Sequence, residues 1–295
     1  MDVWHIFIHS LKDCALMLPI MFLTYVLIEV VERKTSFATN GKYLTGKGAP
    51  ILGATIGTIP QCGVSVMSAK LFDKGIISLG TLLSVFIATS DEAFSILLAS
   101  DKRLAIVPLI AIKGLLAIGI GLLFNLILHP QKEFNNDVFK HENVCVHCHS
   151  ETHAGKNARF KIYVVYPILH SFQTFLYVFA IVFAFGILFG EHGLIGEEEF
   201  ARYLSSVKYT ESFIVSLLGL IPSCASSAII TSLFVSGGIS FGSLVAGLIS
   251  NAGVGLAVLL KNTKEIKRNL FILITLYLIG SFSGLFINVV YNLFF

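Results

Sequence analysis

Eight apolar stretches, each long enough to cross a bilayer as a helix, dominate this chain. They run over 11–31, 49–72, 75–99, 104–128, 163–189, 213–235, 238–260 and 269–295. A helix needs about 20 such residues to span the hydrocarbon. Apolar residues make up 55% of the 295 and charged residues 13%, with a mean hydropathy of +0.81. A soluble domain carries roughly 25% charged residues, and so few charges as these cannot cover this much apolar surface without lipid. The expected class is therefore an all-α, polytopic integral membrane protein. The opening MDVWHIFIHSLKDC lacks a basic n-region and a small-residue cleavage site, so no removable signal peptide is read. No basic run interleaved with aromatics points to nucleic acid, and the partners expected are a lipid bilayer and, in a homo-oligomer, further copies of the chain.

Two stretches contain a proline beside small residues: ILGATIGTIPQCGVSVMSAKLF and SLLGLIPSCASSAIITSLF. Such residues break a helix, which lipid tolerates only where protein or a water-filled cavity satisfies the freed backbone. The two stretches are copies. At an offset of 162 residues Pro60 falls on Pro222, Cys62 on Cys224, Ser65 on Ser227, Gly75 on Gly237, Ser78 on Ser240 and Gly80 on Gly242. Over 57–98 against 219–260 there are 15 identities in 42 ungapped positions, against roughly four expected by chance. The chain thus divides into a membrane repeat over 1–128, a His/Cys-rich cytoplasmic linker over 129–161 and a second membrane repeat over 162–295.

Loop charge predicts that the copies are inverted. Loop 32–48 carries Arg33, Lys34, Lys42 and Lys47 against Glu32, whereas its counterpart 190–212 carries five glutamates against Arg202 and Lys208. Further along the bias reverses, with a short basic loop at 101–103 and a longer one at 261–268. Positive loops face the cytoplasm, so equivalent loops lie on opposite sides. The simplest solution of the resulting parity makes 49–72 a re-entrant hairpin with Pro-x-Cys at its tip, followed by a full crossing over 75–99. Each half has about five helical segments. Three short full crossings per half would also satisfy the count.

Inverted repeats with broken helices are a common plan of secondary transporters. The expected substrate site lies near the midplane, where Gln61, Cys62 and Ser65 face Ser223, Cys224 and Ser227. Two thiols favour soft metals or trivalent metalloids, although small cysteines also allow close helix packing. Asp91 and Glu92 lie deep in 75–99, where carboxylates are costly and mark an ion or proton path. Their counterpart includes Asn251, a neutral oxygen donor. Lys113, central in 104–128, is the expected partner of these carboxylates. In the linker, His141, Cys145, His147, Cys148, His149 and His153 fall within 13 residues, a spacing suited to a zinc-type or soft-metal ion. No cofactor is required for transport. The string CVHCH also matches a haem-attachment pattern, but the predicted inside location opposes covalent haem. No P-loop, Ser-His-Asp or HExxH constellation appears on the membrane segments, so no enzyme is read.

The paired IPQCG and IPSCA motifs, the duplicated halves and the His/Cys-rich linker resemble the ten-helix heavy-metal exporters, which are related to arsenical permeases and often labelled manganese transporters. The resemblance covers nearly the whole chain. It implies an efflux permease for a metal or metalloid in a prokaryotic inner membrane, driven by protons or the membrane potential, with Cys62, Cys224 and their neighbours at the substrate site. Organic-arsenical permeases use several cysteines. Only two lie in these motifs, with Cys14 as a third, so the chain departs from that pattern. Manganese would shift the site towards the oxygen donors Asp91, Glu92, Gln61 and Asn251. The alternatives are a transporter of a small anion or organic solute, guided by helix dipoles and Lys113, and a membrane redox component with haem or metal on the linker.

Overall fold

The computed structural model describes residues 46, 48–59, 62–73, 75–127, 210–262 and 265–294, together with isolated residues within 4–22 and 168–183. The linker ligands between His141 and His153 lie outside the described residues. The contiguous part forms ten α-helices and no strand. The first five are α1 (Ala49–Gly57), α2 (Cys62–Asp73), α3 (Leu79–Ala88), α4 (Asp91–Ala99) and α5 (Ile106–Ile127), with a 3-10 turn, Arg103–Ala105, before α5. The second five are α6 (Glu211–Gly219), α7 (Cys224–Val235), α8 (Phe241–Ser250), α9 (Val254–Lys261) and α10 (Ile266–Phe294). At the offset of 162, the bounds of α1, α2 and α3 coincide with those of α6, α7 and α8, so the sequence repeat is a repeat of helices.

Local chemistry explains the shared bounds. Ser78 and Ser240 cap α3 and α8, each hydroxyl accepting a backbone N–H three residues on, at 3.2 and 3.3 Å. Gly75 and Gly237 end α2 and α7 with φ of 71° and 83°. The N–H of Gly75 bonds Phe72 and that of Ile76 bonds Leu71; Gly237 and Gly238 repeat this with Phe234 and Leu233. This left-handed stop suits glycine, which has no Cβ to clash.

Helix α5 shows which solvent the fold is built for. Its 22 residues span about 33 Å, close to the hydrocarbon thickness. Its buried residues are Ile106, Leu109, Lys113, Ala117, Gly121 and Asn125. This single stripe holds the charge and the amide, while Val107, Leu115, Leu123 and Ile127 are exposed. Water would favour the reverse arrangement, and lipid favours this one. Among the described residues four segments are long and apolar enough to cross a membrane: Leu79–Ala99, Arg103–Ile127, Phe241–Lys261 and Ile266–Leu293.

Two three-helix groups form the core. In one, α1, α3 and α5 pack together; in the other, α6, α8 and α10 do. Small residues allow close backbone approach. A side chain on Gly53 would meet Thr81 and Val85, and one on Gly57 would meet Val85 and Ala88. Contacts therefore advance together along α1 and α3, which run in the same direction. Ser84 Oγ donates to the Ala117 carbonyl at 2.9 Å, and Gly80 lies against Gly121, so α5 runs opposite to α3. In the second group Ser212 pairs with Ser243 and Ser216 with Ser250, at 3.1 and 2.7 Å, which makes α6 parallel to α8. Asn125 donates to the Gly46 carbonyl at 3.2 Å, and Asn288 accepts from the Gly242 N–H at 3.1 Å. Both asparagines join separate helices or their approaches.

The groups are joined by exchanged short helices: α2 packs on α9, and α7 on α4. Ser65 on α2 lies against Gly255 on α9. At the far end Asp73 forms an ion pair with Arg268, just beyond α9. Equivalent cation–ring contacts close both pairs: Arg268 lies 4.7 Å from the Phe72 ring centre and Lys102 lies 4.6 Å from that of Phe234. Ahead of the first apolar stretch, Phe7 meets Phe179 and Phe183 of the fifth edge-on, at 5.5 and 5.8 Å.

Candidate functional site

The spans 75–99 and 238–260 read as unbroken crossings in the sequence; the structure interrupts both. Helix α3 stops at Ala88. Thr89 is extended (φ −61°, ψ 134°), Ser90 lies outside helical geometry, and α4 starts at Asp91. Helix α8 stops at Ser250, Asn251 is extended, and Gly253 (φ 56°, ψ −147°) precedes α9. Such backbone is open essentially to glycine alone. Each break leaves carbonyls at one helix end and amides at the next start without helical partners. The signal in the sequence was the polar string in each apolar run, TSDE and SNAG.

Lys113 answers the exposed carbonyls. It is 1% exposed. Its ammonium donates to the Thr89 carbonyl, to Ser90 Oγ at 2.7 Å and to the Leu248 carbonyl at 3.0 Å. The first two belong to the break of one half and the third to the last turn of α8 in the other. A cation is favoured there because helix carbonyl ends carry partial negative charge. The sequence expectation paired Lys113 with Asp91 and Glu92. Those carboxylates lie outside the described residues, and the described partners of the ammonium are the three oxygens above.

Asn251 orders the second break. Its Nδ2 donates to Ser226 Oγ at 3.0 Å and to the Ser223 carbonyl at 3.4 Å, while its Oδ1 accepts the Gly253 N–H at 2.7 Å. The oxygen expected to face a substrate thus bonds its own backbone. Ser223 caps α7, its hydroxyl accepting the Ser226 N–H at 3.2 Å. Ser226, which sequence reasoning did not single out, links both elements. Ser65 and Ser227 are buried on α2 and α7. Cys62 and Cys224 are the opening residues of α2 and α7; their thiols, and Gln61, lie outside the described residues. The structure therefore brings Ser223 together with Asn251, and Lys113 together with both broken spans. No cluster of three or more metal-ligating side chains occurs among the described residues.

A bundle with its charge turned inward, lipid-type surfaces outside and broken spans within it is that of a multi-pass membrane protein. The family described as "Putative, 10TM heavy-metal exporter" matches residues 4–191 and 170–293. These matches cover most of the chain, which belongs to this family and so to the metal-transporter class of membrane proteins. No curated protein and no solved structure matches it.

Proposed function

We propose that this chain is a secondary transporter, an efflux permease that moves a metal or metalloid ion of the manganese or arsenical type out of a prokaryotic cell. The observation that carries this reading is the meeting of two broken spans, one from each half, at the buried ammonium of Lys113. Broken helices that supply free carbonyls and amides within a membrane bundle are the usual means of binding ions there.

The reading includes inverted halves. The parallel course of α1 and α3, with α2 returning between them, supports a re-entrant hairpin over 49–72. Asn125, beside both Gly46 and Gly80, supports the shared starting level. Helix α9 runs with α2, since Ser65 meets Gly255 and Asp73 meets Arg268. If α9 continues the direction of α8, then α8 opposes α3. Their carbonyl ends would then approach one another from opposite sides, in agreement with their shared contact with Lys113.

In this scheme Gln61, Cys62, Ser65, Ser223, Cys224 and Ser227 line the substrate site, with Asn251 holding the second break in shape. Asp91 and Glu92 carry the coupling charge with Lys113. The linker captures metal through His141, Cys145, His147, Cys148, His149 and His153. Replacing Cys62 and Cys224 together by Ser tests the thiol mechanism. Expression of the wild type in a metal-sensitive host should confer tolerance, and the double variant should lose it. Full tolerance with the double variant would rule the thiols out.

One observation favours a second reading. Ser65 near the start of α2 lies against Gly255 near the start of α9, so two helix N-termini are adjacent, an arrangement suited to an anion. A small-anion transporter would keep its activity in the Cys62/Cys224 double variant.

A further inference from the structure

We infer that Lys113 is a tethered cation occupying an oxygen-lined site, formed in its described part by Thr89, Ser90 and Leu248, which, without the lysine, would take a small monovalent cation. The inference rests on the two breaks and not on which solute is exported.

The ligand set is that of an ion site. Two main-chain carbonyls, of Thr89 and Leu248, and one hydroxyl, of Ser90, converge on the ammonium. They come from two chain segments, one in each half of the molecule, and the group they surround is almost wholly buried. Carbonyls at the ends of interrupted helices are the donors with which membrane transporters hold Na+ and similar ions. An ammonium, positively charged and a donor only, is matched to such oxygens. Removing it would take the positive charge away from the carbonyl ends of α3 and α8 in buried surroundings, where a polar group that loses its partner is costly.

The repeat shows that this charge is an addition to one half. Gly121 packs on Gly80 as Gly284 does on Gly242, so the position equivalent to Lys113 is Leu276, a fully buried residue without charge. Lys113 instead reaches across to the other half. A lysine that supplies the positive charge itself makes the junction independent of sodium or potassium, and shortening it should create that dependence.

The test uses the purified full-length chain as wild type, Lys113→Ala, Lys113→Ser and Lys113→Met. Each is melted in choline chloride, sodium chloride and ethylammonium chloride at equal ionic strength. Choline is too large for the vacated space, while ethylammonium replaces the missing end of the side chain. The Ala and Ser variants should melt lower than wild type in choline and recover by about 3 °C or more in ethylammonium or sodium. Wild type should be indifferent to the cation because its site is filled. Met, which fills the space without charge, should be low in all three salts. Lys113→Ser supplies its own hydroxyl and keeps the test open if Lys113→Ala does not fold. Absence of cation-dependent recovery in both small variants would overturn the inference, as would equal recovery by Met. No transport is measured, so this result and a failed export assay can be told apart.

Discussion

Gly255 on α9 lies so close to Ser65 on α2 that an added Cβ would stand 2.6 Å from the Ser65 carbonyl carbon. The neighbour is main chain, which cannot rotate away. Gly255→Ala is therefore expected to force α2 and α9 apart and to destabilise the protein by about 1–3 kcal/mol, in the range for overpacked cores. Gly114 and Gly119 on α5 meet nothing within 4 Å. Their Ala variants serve as controls and should melt at or slightly above wild type. Thermal unfolding in detergent distinguishes the two sets.

The Asp73–Arg268 pair should prove asymmetric. Burial raises the Asp73 pKa above 3.8; bonding to Asn262 and the Arg268 charge lower it, less than burial raises it. A raised folded pKa means that the folded state holds its proton more tightly than the unfolded chain does. The associated stabilisation is present in acid and is lost as pH rises through the folded value. Arg268→Ala removes the compensating charge and the Phe72 ring contact. It should cost more than Asp73→Asn, and more at pH 8 than at pH 5. Equal losses at both pH values would contradict this account.

At the second break, Asn251→Ala takes the described acceptor from the Gly253 N–H and the amide donor from Ser226 Oγ, which keeps its bonds to the Ile221 and Ser223 carbonyls. A cost of about 1–3 kcal/mol is expected for such buried groups. Gly253→Ala should cost a similar amount, about 1–3 kcal/mol, through its backbone angles alone. Combining them should cost less than the sum, since both release the same turn. A double-mutant cycle by thermal unfolding measures the difference.

Inverted halves make a topological prediction. Single cysteines placed in 32–48 and in 190–212, in a background lacking other reactive thiols, should label from opposite sides of the membrane. Labelling of both from one side would show that the halves run in parallel.

Much of this architecture is legible in the sequence because the repeat is carried by residues with backbone roles. Ser78 and Ser240, and Gly75 and Gly237, start and stop helices, so their coincidence at one offset reported matching helices. Asn125 and Asn288 carry a signal of the same kind, because an amide in lipid needs a partner. The breaks after Ala88 and Ser250 were not. Neither contains proline, and polar residues within an apolar run fit an intact helix with a buried functional group as well as an interrupted one. The link from Lys113 to Leu248 was also hidden, because a main-chain carbonyl carries no residue-type signature. Ser226 was overlooked for a related reason: its counterpart is Val64, so the repeat did not mark it.

Transport itself is tested most directly in inside-out membrane vesicles, with Mn2+, Cd2+ and arsenite offered separately and uptake measured under an imposed proton gradient or membrane potential. The account predicts accumulation of at least one of these ions above vesicles lacking the protein, and its loss when the driving force is collapsed. Equal uptake of all three in vesicles with and without the protein would contradict it.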